Sequence, residues 1–175
     1  MNNNLILDPT YSDAYWQRHI MQLRLDRIQD ALSDLDSITY SSKFYLSAFH
    51  AKAKIYQCLG LTKKAIINYS IVIKLAPGCV DAYVNRAFLF EICNEISLSN
   101  EDYRIVRRLD SNYEWAYLNH AKYSFKLQFW SDAAVAFKKL QWLNPENSDY
   151  YLYAGRAYAS LLNYQQAFDV IFFKI

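Results

Sequence analysis

Glycine and proline are nearly missing from this sequence. Three of each are spread over 175 residues, too few to punctuate a sandwich or barrel of many short strands, so long helices are favoured. Cysteine is equally rare, at positions 58, 79 and 93. An odd set without C-x-x-C spacing supplies neither a disulfide framework nor a zinc ligand set, and predicts reduced, mostly buried thiols in a cytoplasmic protein. No apolar run approaches the ~20 residues that a spanning helix needs. The start, "MNNNLILDP", lacks the basic and apolar regions of a signal peptide. No membrane insertion is expected. Charge of one sign is lacking too: 19 basic residues face 17 acidic ones, which gives no electrostatic reason to expect nucleic acid. Arg107-Arg108 and Lys138-Lys139 read as solvated helix faces rather than phosphate sites.

Catalytic and metal-binding patterns are also missing. His19, His50 and His120 stand apart, no serine or cysteine is spaced to join one of them, and no H-E-x-x-H, G-x-G-x-x-G or phosphate loop occurs. The acid pairs Asp34 with Asp36 and Glu101 with Asp102 read as solvent-facing helix charge. These absences predict a protein that is not an enzyme and has neither cofactor nor metal.

What is present is a period. Aromatic residues reach 17%, with sixteen tyrosines. "DAYVNRA" (81–87) returns 34 residues later as "WAYLNHA" (115–121). Pro9, Pro77 and Pro145 are separated by 68 residues each time, twice that period. A 34-residue frame then divides the chain without insertion into 12–45, 46–79, 80–113, 114–147 and a truncated 148–175. The fourth place holds Tyr15, Phe49, Tyr83, Tyr117 and Tyr151. The eighth is small in four of five copies (His19, Ala53, Ala87, Ala121, Gly155), and the twentieth holds Ala31, Ala65, Ser99, Ala133 and Ala167. In the second copy Ala48, Phe49, Ala53 and Tyr56 share one helical face. Gly60 and Thr62 interrupt it, and Ala65, Ile66, Tyr69, Val72 and Ile73 resume it on a second helix that Pro77 stops. Small residues at 53 and 65 let the two helices approach closely, and the rings fill the space beside them.

On these columns the chain resembles the tetratricopeptide repeat family over nearly its whole length. The resemblance implies an all-α fold, a right-handed superhelical solenoid of about five antiparallel helix pairs over residues 12–175. Residues 1–11 would be the end of a preceding repeat or an N-terminal extension. Three departures stand out. His19 occupies a small place, so its helix pair should open or its ring turn outward. Ser99 and the polar stretch "CNEISLSNED" leave the second helix of repeat three with the thinnest support. The last residues leave Phe168, Ile171, Phe172 and Ile175 without a following repeat, which suggests a fragment of a longer array or self-association through that end.

The resemblance also implies a concave groove lined by fixed places of the first helices. Carried over, these include His50 and Lys54, Asn85 and Phe88, Trp115, Asn119 and Lys122, and Tyr153 and Arg156. The same places give Gln57, Asp81, Leu118, Phe125, Lys126 and Asp149. Asn85 and Asn119 recur at one place, and a side-chain amide both donates and accepts, which suits the backbone of an extended peptide. Lys54, Lys122 and Arg156 recur at another, among Phe88, Trp115 and Tyr153. The expected partner is a protein or extended peptide with acidic and apolar residues. The carboxylate clamp of co-chaperones is not matched: only Asn85 falls in place. Five basic against four acidic lining residues give no RNA groove. A non-enzymatic interaction scaffold is the leading expectation. The alternatives are the targeting or regulatory part of a larger enzyme and a chaperone-type adaptor.

Overall fold

The computed structural model describes residues 9–172. Ten helices and no strand occur among the described residues: α1 (Pro9–Arg24), α2 (Ile28–Asp36), α3 (Tyr45–Cys58), α4 (Thr62–Leu75), α5 (Val80–Ile92), α6 (Ile96–Leu109), α7 (Glu114–Lys126), α8 (Trp130–Leu143), α9 (Ser148–Ser160) and α10 (Tyr164–Phe172). The chain divides into two compact units, the first ending at Leu89 and the second beginning at Phe90, so the boundary falls inside α5. Each repeat contributes one first helix (α1, α3, α5, α7, α9) and one second helix.

One turn geometry makes every pair. Asp26, Gly60, Asn94, Gln128 and Leu162 all have φ between 58° and 69°, and each sits at the fifteenth place of its repeat. The next residue donates its N–H to the carbonyl five positions back: Arg27 to Gln22, Leu61 to Tyr56, Glu95 to Phe90, Phe129 to Ser124 and Asn163 to Tyr158, at 2.8–3.0 Å. The positive-φ residue itself bonds three back, as Asp26 does to Leu23. Together these satisfy the last carbonyls of the first helix in a Schellman motif. The carbonyl of Arg27, Leu61, Glu95, Phe129 or Asn163 then accepts from the twentieth-place N–H and starts the second helix.

The columns that are small in sequence are buried in the structure. Ala53, Ala65, Ala87, Ala121 and Ala133 are completely inaccessible, and Ser99, Gly155 and Ala167 are buried. Extra bulk at Ala65 or Ala133 would overpack the pair by about 1–3 kcal/mol. The first unit packs Leu32, Leu35 and Ile38 with Ala48 and Ile55, and then Ala53, Ala65, Tyr69 and Val72 with Ala82 and Leu89. The second unit packs Ala121, Ala133, Ala136, Phe137 and Leu140 against Tyr150, Ala154 and Ala157. Fourth-place rings divide: Tyr83 and Tyr151 are buried, whereas Tyr15, Phe49 and Tyr117 are half-buried.

Several expectations are corrected here. The His19 ring is buried rather than turned outward, packed 4.4 Å from Trp16. Burial lowers its pKa, and its Nδ1 has no hydrogen-bond partner among the described residues. The helix expected least, α6, runs its full 14 residues, and buried Ser99 replaces alanine by donating to Glu91 Oε1 at 3.2 Å. Asp34 and Asp102 are buried, not solvent-facing; Arg18 Nε meets Asp34 Oδ2 at 2.9 Å. Cys58 and Cys93 are exposed and Cys79 half-buried, because two of them stand at the ends of first helices rather than on packed faces. Phe168 and Ile171 are exposed on α10, while the side chains of Phe172 and Ile175 lie outside the described residues.

Candidate functional site

The first helices place their second-, fifth-, sixth- and ninth-place side chains on one face, and the two units use that face differently. In the first unit Asp81 of α5 gathers two side chains of α3, His50 and Lys54. Its Oδ2 lies 2.6 Å from His50 Nε2 and 3.3 Å from Lys54 Nζ. Partial burial works against ionisation of Asp81, but Lys54 and the His50 hydrogen bond outweigh it and hold the carboxyl below its usual range. Beside this cluster Tyr69 donates to Gln57 Oε1 at 2.7 Å, and Gln57 Nε2 donates to Asn85 Oδ1 at 3.4 Å. Burial, then Asp81, pushes the Tyr69 phenol well above its usual range. Asn85 Nδ2 donates back to the Asp81 carbonyl of its own helix at 2.7 Å. Phe88 stands exposed on α5.

In the second unit the corresponding face opens into a cavity of about 510 Å³ between α7, α8 and α9. Its wall is aromatic. Phe137 and Tyr153 stack at 5.5 Å, and Phe125 meets both edge-on at 6.4 and 6.1 Å. Leu118 completes the apolar part, and Lys122, Lys126 and Asp149 stand at the polar part. Neither lysine is in an ion pair among the described residues; Lys122 Nζ lies over the Trp115 ring at 5.5 Å. The Arg156 guanidinium lies 5.9 Å from the Tyr153 centroid. Tyr150, also lining the cavity, donates to Glu114 Oε1 at 2.6 Å; burial first, then that carboxylate, raises its pKa to about 12. Asn119 Nδ2 donates to the Trp115 carbonyl at 3.0 Å, the same back-bond that Asn85 makes.

Of the nine side chains proposed from sequence, His50, Lys54 and Asn85 are joined through Asp81 and Gln57. Lys122 and Tyr153 line the cavity, with Trp115 and Arg156 against them. Asn85 and Asn119 belong to different units. Sequence reasoning placed Asp81 and Gln57 on the face without seeing their bonds, and missed Phe137 and Tyr150 as cavity walls because they stand at packing places. No group of three or more potential metal ligands clusters among the described residues. No helix there is long and apolar enough to cross a membrane.

No protein-family model matches the chain. Over 86 residues it is 30% identical to a serine/threonine-protein phosphatase T of Trypanosoma brucei brucei, and over 147 residues it is 27% identical to a DnaJ homolog subfamily C member 7 homolog of Dictyostelium discoideum. The first match takes in 49% of this chain and the second 84%, but the chain spans only 18% and 24% of those relatives' lengths. Among solved structures, MamA from Desulfovibrio magneticus RS-1 superposes with a TM-score of 0.67 at 16% identity, over 93% of this chain and 92% of that one. YrrB, described as a TPR protein with an unusual peptide-binding site, superposes with a TM-score of 0.68 at 15% identity, over 89% and 80%. The chain has the tetratricopeptide-repeat fold. In the first unit the Asp81 cluster, and in the second unit the aromatic cavity, is built around first-helix places of this repeat.

Proposed function

We propose that the chain is a non-enzymatic interaction scaffold whose first-helix face holds an extended segment of a protein partner. The aromatic cavity of the second unit carries this reading. It joins apolar walls to two lysines that have no carboxylate partner among the described residues, which suits a bulky apolar residue followed or preceded by an acid. Asn119 contributes its Oδ1 and remaining N–H to the segment's backbone. His50 and Lys54 take a lesser part, since both already contact Asp81. The three free thiols fit the cytoplasmic setting proposed for the chain.

A library of displayed peptides selected on the purified chain tests this directly. Selected sequences should pair an aromatic or large aliphatic residue with Asp or Glu. A Lys122→Ala/Tyr153→Ala double variant should bind them about tenfold to a hundredfold more weakly, the range for central anchors. Equal affinity for a folded double variant would refute the assignment. A second reading keeps the same face but makes it the recruiting segment of a longer protein, in the manner of a phosphatase or a DnaJ-type chaperone partner. The small share of the matched relatives that this chain spans favours it, and the full-length transcript decides it.

A further inference from the structure

The second unit has another hollow, of about 240 Å³, between α6, α7 and α8. It shares no lining residue with the aromatic cavity, and it opens from Tyr117 and His120 of α7 rather than from Leu118, Lys122 and Phe125. Two cations converge in it. The Arg107 guanidinium lies 5.8 Å and Lys139 Nζ 5.9 Å from the centroid of the same Tyr117 ring. The basic pairs at 107–108 and 138–139 are therefore not both solvated faces, because one member of each turns into this hollow.

Among the described residues the bonds these cations make are to neutral groups. Arg107 Nη1 donates to the Ala116 carbonyl at 3.3 Å, Lys139 donates to Asn112 Oδ1 at 3.4 Å, and Lys139 also covers the Trp142 ring at 3.9 Å. Among the described residues neither forms a salt bridge, and the one acid lining the hollow is Asp132. His120 is held neutral there, its pKa lowered to about 4 by burial and then by Arg107. Arg107 is half-buried, and partial burial works against its charge, a cost that a paired carboxylate would offset. Next to the hollow α8 exposes two large apolar side chains, Val135 and Trp142, each about two-thirds accessible.

We infer that this face is a second docking site, for a segment of a partner protein that sets a Glu or Asp carboxylate between Arg107 and Lys139. Arg107 offers the planar fork that matches a carboxylate bidentately, and Lys139 adds a point charge. An aliphatic neighbour of that acid would cover Val135 and Trp142. The site is independent of the aromatic cavity, so either stands if the other fails.

Titration of the 15N-labelled full chain with acetyl-Leu-Glu-Leu-Glu-amide, followed by amide and indole shifts, tests it. Saturable shifts are expected at Tyr117, His120, Val135 and the Trp142 indole. The isosteric acetyl-Leu-Gln-Leu-Gln-amide should bind about tenfold more weakly, the worth of a charge-assisted bond. Arg107→Gln should weaken the Glu peptide similarly. Lys139→Gln gives the same readout if loss of Arg107 unfolds the chain. Equal binding of the two peptides, an unchanged Lys139→Gln titration, or shifts confined to Leu118, Lys122 and Tyr153 would each overturn the site. So would inorganic phosphate moving the same amides at lower concentration than the Glu peptide, which would make this a phosphate pocket.

Discussion

The first-helix faces of the two units are built from the same repeat places and end in opposite conditions. In the first unit the ninth-place Lys54 reaches the second-place Asp81 of the next repeat, and the fifth-place His50 joins it. In the second unit the ninth-place Lys122 and the second-place Asp149 line one cavity without pairing, and the fifth place holds Leu118. Four places change together. His50, Gln57, Tyr69 and Asn85 make a hydrogen-bonded face in the first unit, where the second unit has Leu118, Phe125, Phe137 and Tyr153 around its cavity. The same repeat places thus give a self-satisfied polar network in one unit and an aromatic-walled cavity in the other.

The contrast predicts unequal costs for removing a tyrosine. Tyr69 is fully buried and bonded to Gln57, so Tyr69→Ala should destabilise by about 3–5 kcal/mol. Tyr153 is partly exposed at the cavity, and Tyr153→Ala should cost about 1 kcal/mol while removing peptide binding. Denaturant melts of the two variants side by side check this, and equal losses would break the distinction between a closed and an open face.

A smaller effect is expected from pH in the second unit. His120 binds its proton near the ordinary 6.5 in the unfolded chain and only near 4 when folded. The unfolded state then holds more protons across that window, so stability falls as pH drops from 6.5 towards 4. His120→Gln should flatten this part of the Tm profile, leaving the portion due to His19. Identical slopes for variant and wild type would show that the ring is open to water.

The smallest effect belongs to Asp81. Its depressed pKa means that its stabilisation is present above the unfolded value of 3.8 and is lost as pH falls through the folded one. The pair is half exposed, so Asp81→Asn should cost about 0.5 kcal/mol or less at neutral pH and nothing in strong acid. It should also free Lys54 and His50, making the first unit resemble the second: binding of acidic peptides by that face should strengthen. No gain would mean that Gln57 and Asn85, not Asp81, keep it closed.

The period and the small columns carried the fold. Ala53, Ala65 and Ser99 are recognisable because a helix pair cannot close over larger side chains. The register also listed the facing positions. It could not show which of them would pair, because Lys54 and Lys122 occupy the same place and only the rotamers and neighbours of the folded chain decide that one finds an acid. Asn85 and Asn119 stood out as letters that packing does not require, yet each back-bonds to its own helix four residues earlier, a local bond that a column of letters does not display. Phe137 was invisible as a cavity wall because the same ring is also core. Arg107 was read as solvated for a related reason: a doublet of arginines does not reveal which one is turned inward.

The turn joining each helix pair is spelled five ways, with Asp26, Gly60, Asn94, Gln128 and Leu162. Only one spelling is the residue that left-handed backbone favours. The joint is therefore specified by a torsion and two hydrogen bonds, with wide latitude in side chain. Such a joint can be copied every 34 residues without being retuned, which leaves the exposed faces free to diverge from one copy to the next while the spacing stays in phase.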